Sequence, residues 1–295
     1  MRGRSSSSGA SLQPEAVPNG QDPYLYPGTD VLRNKPGIVV AEVLAAFEYE
    51  QSAKRIEELR GKPISGRFDL KHLQDIHRAI FQDVYEWAGE LRTVGLMKGG
   101  SRFAEPAYIE SEAKKLSDAL ANEGGLRGLE KPPFVQRLAH YYGEFNALHP
   151  FREGSGRSCR ELMGQLAREA GYELDQTRID NSKGQWNAAT RQSFLGNLQP
   201  VMQILSDALR PTRSVAFETL TEEQALVRHP ELAGTYEGLH RLRDAYAERF
   251  SGNLELQQQY ELQARGEIVR TLDAGAVLEA TPPEPRSRDN RGLER

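Results

Sequence analysis

The sequence predicts an all-α protein with one small β-hairpin. Apolar residues recur at offsets of three and four through most of residues 36–209, the spacing of a helix face. One short stretch, residues 91–104, breaks that period and carries turn chemistry at its centre. Residues 219–275 are polar and again helical in pattern.

Taken in order, residues 1–22 are rich in Ser, Gly and Pro and read as a disordered lead-in. Order is expected from residues 23–28, P-Y-L-Y-P-G. A helix is expected from Pro36, with Val39, Val40, Val43, Leu44 and Phe47 on one face. Asp69 is placed to cap a second helix whose apolar face is Leu70, Leu73, Ile76, Ile80 and Phe81. Residues 91–97 read as a strand, 98–101 (K-G-G-S) as a turn and 102–104 as its return, which makes the hairpin.

Helices are then expected over 106–123 and 133–148, separated by a loop over 124–133. Val135, Leu138, Tyr142 and Phe145 line the second of them. Cys159, Leu162, Met163, Leu166, Ala167 and Ala170 mark an amphipathic helix that stops at Gly171. A further helix is expected over 185–209, a linker at 211–214, and a helical hairpin within 219–275 broken near Ser251 and Gly252. The expected organisation is therefore a disordered N-terminus (1–22), a helical core domain (23–210), a helical appendage (211–280) and a disordered tail (281–295).

Composition narrows the function classes. One cysteine excludes an intramolecular disulfide and argues against a Cys-based zinc site. A net charge of −4 gives no global reason to bind nucleic acid or an anionic membrane, so neither is an expected partner. No apolar run approaches the roughly 18 residues that span a bilayer. Arg2 and Arg4 precede a polar, small-residue stretch that lacks a signal-peptide core. The expectation is a cytoplasmic protein, with secretion as an effector left open.

The chemistry concentrates in residues 149–160, H-P-F-R-E-G-S-G-R-S-C-R. Read as helix, loop and helix, Ser155 is placed as an N-cap, and Gly154 and Gly156 keep the turn free of side chains. Free amides at a helix N-terminus bind anions. Arg157 and Arg160, three apart, add two guanidinium forks suited to a polyphosphate. Glu153 can hold Mg²⁺ against phosphates, and His149 can take a proton from a hydroxyl. The lysine of a P-loop is missing. Each part alone has an ordinary reading: a capping histidine, a solvated arginine face, a loop acid, a plain helix–helix turn. Their coincidence in twelve residues is what points to a nucleotide site. Cys159 reads as a buried thiol, Trp87 and Trp186 as core, and His72, His77, His140, His229 and His240 form no ligand-spaced cluster.

This segment resembles the signature of the Fic family, H-P-F-x-[D/E]-G-N-G-R-x-x-R, at His149, Pro150, Phe151, Glu153, Gly154, Gly156, Arg157 and Arg160. Residues 24–29 (Y-L-Y-P-G-T), 68–73 (F-D-L-K-H-L), 81–90 (F-Q-D-V-Y-E-W-A-G-E) and 91–94 (L-R-T-V) resemble family blocks in order and spacing. The resemblance spans about residues 23–210. It implies a helical core with a β-hairpin flap that transfers AMP from ATP to a Ser, Thr or Tyr hydroxyl of a target protein. By the same resemblance His149 is the general base and Glu153 the Mg²⁺ ligand. Gly154, Ser155 and Gly156 form the anion hole, Arg157 and Arg160 meet phosphates, and Asn187 contributes to the nucleotide pocket. The flap residues Thr93, Val94, Gly95, Leu96, Met97 and Lys98 clamp the target segment by strand pairing.

Ser155 departs from the family's Asn. That leaves a second reading, a degenerate module that binds nucleotide or a partner without turnover, or one that moves a different nucleotide or phosphate group. Relatives carry an inhibitory [ST]-x-x-x-E-[GN] helix whose Glu pairs with the arginine corresponding to Arg160. The short form S/T-x-x-x-E begins here at Ser11, Ser101, Ser214, Thr219 and Ser251, never followed by Gly or Asn. The expectation is no built-in inhibitory helix and a toxin restrained by a small separate antitoxin carrying that motif. The resemblance offers DNA gyrase and topoisomerase IV as targets.

Overall fold

A computed structural model of the protein describes residues 15–16, 22–98 and 101–275. The chain divides into two compact units after Leu209. The expected all-α class holds, and the tail from Thr281 lies outside the described residues.

The first unit is built around three buried helices: α2 (Leu70–Phe81), α4 (Lys131–Leu148) and α5 (Ser155–Glu169). Asp69 caps α2 by accepting from the His72 amide at 2.9 Å, an arrangement worth about 1 kcal/mol. Leu73, Ile76, Ile80 and Phe81 are fully buried, as are Leu138 and Phe145 of α4 and Cys159, Leu162 and Leu166 of α5. Each such aliphatic or aromatic side chain contributes roughly 1.5–3 kcal/mol by leaving water. The helices α1 (Ala41–Gly61), α3 (Ile109–Asn122), α6 (Gln176–Asn181), α7 (Lys183–Phe194) and α8 (Gln199–Ala208) surround them, with a short strand at Tyr172–Leu174.

Several elements depart from the periodicity. Helix α1 starts at Ala41, and Val39, Val40 and Val43 are exposed. Its inward face is Leu44, Glu48, Ser52 and Leu59, because that face meets a buried guanidinium rather than a purely apolar core. The helix expected over 185–209 is two helices, α7 and α8, and the break between them includes Gly196, whose φ of 91° no helix accepts. Residues 91–95 are not strand; Arg92 turns inward there and fixes the backbone. The hairpin proper is β2 (Leu96–Lys98) and β3 (Ser101–Arg102), paired Met97↔Arg102 and Lys98↔Ser101.

The lead-in is not wholly without structure. Strand β1 (Glu15–Ala16) pairs antiparallel with the other edge of β2, Glu15 against Met97 and Ala16 against Leu96. Composition gives no sign of this, because the pairing is made by backbone groups at an exposed sheet edge.

The second unit holds α9 (Thr212–Thr219), α10 (Glu222–Arg228), α11 (Ala233–Arg249) and α12 (Leu254–Asp273). The expected linker at 211–214 is instead the start of α9, with Ser214 buried. Phe217, Leu232, Tyr236, Leu239, Ile268 and Leu272 form its core. Thr221 and Gln224 form a capping box on α10. The α11–α12 break falls at Ser251 and Gly252, as expected.

Candidate active site

The site is a turn between two buried helices. Helix α4 ends at His149, which adopts a left-handed conformation, φ 44° and ψ 63°. That costs a non-glycine residue about 1–2 kcal/mol. Arg92 compensates: its Nε donates to the His149 carbonyl at 2.7 Å, and its two Nη groups reach the carbonyls of Val94, Ala104 and Leu148. One buried guanidinium thereby ties the base of the hairpin to the end of α4. Burial pushes its pKa down to about 10.

The His149 ring stacks on Phe103 with centroids 3.9 Å apart. Its Nδ1 lies 3.4 Å from the Asn146 carbonyl. A carbonyl only accepts, so Nδ1 carries the proton and Nε2 keeps its lone pair. Burial, with Arg92 nearby, pushes the imidazole pKa down to about 3. The ring is neutral at physiological pH.

Glu153 precedes the turn. Its Oε1 accepts from the Gly154 amide at 2.9 Å and from Arg157 Nη2 at 3.3 Å. Its Oε2 is buried and has no hydrogen-bond partner. Burial and the neighbouring Glu48 push its carboxyl above the usual range, with Arg157 opposing. A buried carboxylate oxygen without a donor fits a cation ligand. Among the described residues no cluster of three His, Cys, Asp or Glu side chains surrounds it, which suits Mg²⁺ held mainly by phosphates and water.

Gly154 is the N-cap of α5, at φ 81°. A Cβ there would also lie 2.3 Å from the Phe81 ring. Ser155 is therefore the first helical residue rather than the cap, and it is fully buried. Its Oγ accepts from the Phe151 amide at 3.0 Å and donates to the Phe151 carbonyl at 3.2 Å. A single hydroxyl closes the turn with both a donor and an acceptor. Gly156 lies in the first turn with open space above it. At this end Ser158 N donates to Gly154 O at 3.1 Å, and the amides before it face outward without helical partners.

Arg157 and Arg160 engage different neighbours. Arg157 is held by Glu48 at 2.5 Å, by Glu153, and by Ser52 Oγ at 3.1 Å, with the Phe81 ring 4.7 Å beneath. Tyr85 also donates its hydroxyl to Glu48. Arg160 pairs with Asp180 at 2.9 Å. Asn187 is half-buried on α7, and among the described residues no hydrogen bond brings it to the loop. Of the flap residues, Leu96 is buried, Thr93 donates its amide to the Tyr24 hydroxyl, and Leu96–Lys98 form strand β2.

The matches with known proteins follow this geometry. The Fic/DOC family pattern matches residues 67–167. A "Probable protein adenylyltransferase Fic" of Escherichia coli K12 is 44% identical over 187 residues, covering 63% of this chain and 92% of that protein. The chain belongs to the Fic/DOC family.

A further Fic relative, "Protein adenylyltransferase VbhT" of Bartonella schoenbuchensis, is 46% identical over 180 residues, 60% of this chain and 36% of that one. Two solved Fic structures are similar in fold. One is the BepC protein of Bartonella tribocorum with bound AMPPNP: TM-score 0.60, 30% identity, 64% of this chain and 96% of that one. The other is an N-terminal Fic domain from Bartonella quintana with bound ADP: TM-score 0.62, 28% identity, 65% and 96%.

Sequence reasoning missed four supports of the Fic loop. His77, given no role from its spacing, is fully buried. Its Nδ1 accepts from the Gly89 amide at 2.8 Å, so its Nε2 donates to the Glu153 carbonyl at 2.9 Å. Burial holds its pKa down at about 3. Glu48, Arg92 and Asp22, which pairs with Arg152 at 2.9 Å, also bind the loop from elsewhere in the chain. A histidine on the apolar face of α2 and two polar residues four apart on α1 were the available signals.

Proposed function

We infer that this chain is a protein adenylyltransferase that moves AMP from ATP to a Ser, Thr or Tyr hydroxyl of a target protein. The observation that carries the reading is the unpartnered Glu153 Oε2 beside the open first turn of α5, with Glu153 four residues after a neutral histidine whose Nε2 keeps its lone pair. The curated relatives are named protein adenylyltransferases.

In this reading the outward amides at Ser155, Gly156 and Arg157 and the positive helix end hold phosphate oxygens of ATP. Arg157 is pre-set by its two carboxylates, and Arg160 reaches the terminal phosphate by leaving Asp180. Asn187 lines the nucleotide side of the pocket. Glu153 would hold Mg²⁺, which would supply charge neutralisation to the phosphates. His149 Nε2 accepts the proton of the attacking hydroxyl. The new bond joins that oxygen to the α-phosphorus, the α–β bridging bond breaks, and pyrophosphate leaves. The polyphosphate charge raises the affinity of His149 for that proton when the site is loaded.

The flap residues Thr93 to Lys98 present the target segment by strand pairing. The target is a protein, with DNA gyrase and topoisomerase IV the first to assay. A separate antitoxin helix carrying S-x-x-x-E-[GN] restrains the enzyme by offering its Glu to Arg160 in place of Asp180. Within the described residues, Glu218 of one short-form match already pairs with Arg210 at 2.7 Å.

Incubation with α-labelled or γ-labelled ATP, Mg²⁺ and cell lysate tests the reaction. Label on protein from the α position alone supports it. Label from the γ position replaces it with phosphoryl transfer, and no label from any nucleotide favours a binding module. His149→Ala is expected to abolish transfer while leaving ATP binding largely intact.

A further inference from the structure

The flap edge where a target strand would pair is already taken by the chain itself. Glu15 and Ala16 pair with Met97 and Leu96 on the edge of β2 opposite β3. Phe103, whose amide donates to the Leu96 carbonyl at 3.0 Å, stacks on His149. The occupied edge therefore lies one strand from the ring that packs on the histidine. A second anchor holds the same segment six residues later. Asp22 forms a buried ion pair with Arg152, inside the loop that carries the site. Two residues beyond, the Tyr24 hydroxyl accepts from the Thr93 amide at the hairpin base.

The sequence between the anchors matters. Residues 17–21 are V-P-N-G-Q and contain no Ser, Thr or Tyr. The nearest upstream hydroxyl belongs to Ser11. Neither paired residue carries a hydroxyl, so this occupant of the edge offers no acceptor oxygen.

We propose that Glu15 and Ala16 are an intramolecular competitor of the target, a short strand that fills the flap edge without a hydroxyl to modify. A target segment gains the edge by displacing Glu15 and Ala16. This rests on the reading that the flap presents the target. The restraint acts on target docking and leaves the nucleotide loop open, so it is distinct from an acidic residue offered to Arg160. An edge occupied nine-tenths of the time lowers the apparent affinity of a competing strand about tenfold.

The test compares the full chain with its Glu15→Pro/Ala16→Pro variant, which removes the Glu15 N–H that faces β2 and constrains the backbone at both paired positions. Deuterium exchange over residues 93–98 is expected to quicken in the variant. A fluorescent peptide of residues 11–20 is expected to bind the variant on the order of tenfold more tightly than the wild type. Total α-label passed to lysate proteins is expected to rise several-fold. Equal exchange and equal peptide affinity overturn the proposal. So does unchanged labelling in a variant whose exchange has quickened, and so does label recovered on Ser5 to Ser11 of the chain itself, which would make the segment a substrate. The exchange and peptide measurements need neither nucleotide nor target. If neither chain transfers label, the transfer reading fails, and those two measurements still decide whether the segment holds the edge.

Discussion

At the scale of single residues, the site depends on charges that are paired before any ligand arrives. Arg157 sits between Glu48 and Glu153. Glu48→Gln is expected to lower kcat/KM for ATP on the order of tenfold while costing about 1–3 kcal/mol of stability in urea unfolding. An unchanged kcat/KM would mean that Arg157 is placed by its other partners alone. Among the described residues the Arg160 guanidinium is tied to the more exposed Asp180. Such pairs are worth about 0–1 kcal/mol, so Asp180→Asn is expected to shift the KM for ATP by no more than about fivefold. His149 titrates near 3 in the empty site, well below the usual histidine value. The acid limb of kcat/KM, which reports the free enzyme, is expected to stay flat from pH 8 to 6. A limb centred near 6.5 in that profile, lost in His149→Ala, would show that burial does not hold the imidazole down.

At the scale of elements, the two glycines of the turn divide the work. Gly154 is needed for folding, because its φ is 81° and a Cβ would strike Phe81. Gly154→Ala is expected to cost roughly 2–5 kcal/mol, from backbone strain and overpacking together. Gly156 has ordinary helical backbone and open space. Gly156→Ala is expected to leave the unfolding midpoint nearly unchanged but to weaken ATP binding, read by calorimetry. If it also leaves binding unchanged, the phosphates do not lie over that turn. The family's Asn is replaced by Ser155, and the fold shows why the turn survives: the hydroxyl bridges the Phe151 amide and carbonyl.

At the scale of the whole molecule, buried neutral histidines link stability to pH. His77 and His149 have folded-state pKa values of about 3, below the unfolded value near 6.5. The unfolded chain therefore binds protons first as pH falls. Their contribution is fully present above about pH 6.5 and is lost as pH falls toward 3. Each histidine is expected to cost about 1.4 kcal/mol per pH unit within that window. Glu153 and Glu161, whose carboxyls burial raises, act in the opposite sense. The difference in unfolding free energy between wild type and His77→Asn isolates the His77 part. Equal pH slopes for the two would show that His77 is not buried neutral.

The residues of the loop, 149–160, were legible in the sequence because they are neighbours along it. A turn glycine and a candidate histidine and carboxylate can be picked out when spacing alone places them on one helix–loop–helix. The cap of α2 and the apolar faces of α2, α4 and α5 were legible for the same reason, since they depend on offsets of three and four. What holds the loop comes from far away. Glu48 reaches Arg157 across 109 positions, His77 reaches Glu153 across 76, and Asp22 reaches Arg152 across 130. No local pattern encodes those distances, and polar residues on a buried face read as breaks in periodicity until their partner is in view. The pairing of Glu15 and Ala16 with the flap was hidden for a different reason. Backbone hydrogen bonds at a sheet edge ask almost nothing of the side chains, so only the tertiary structure decided which segment lies there.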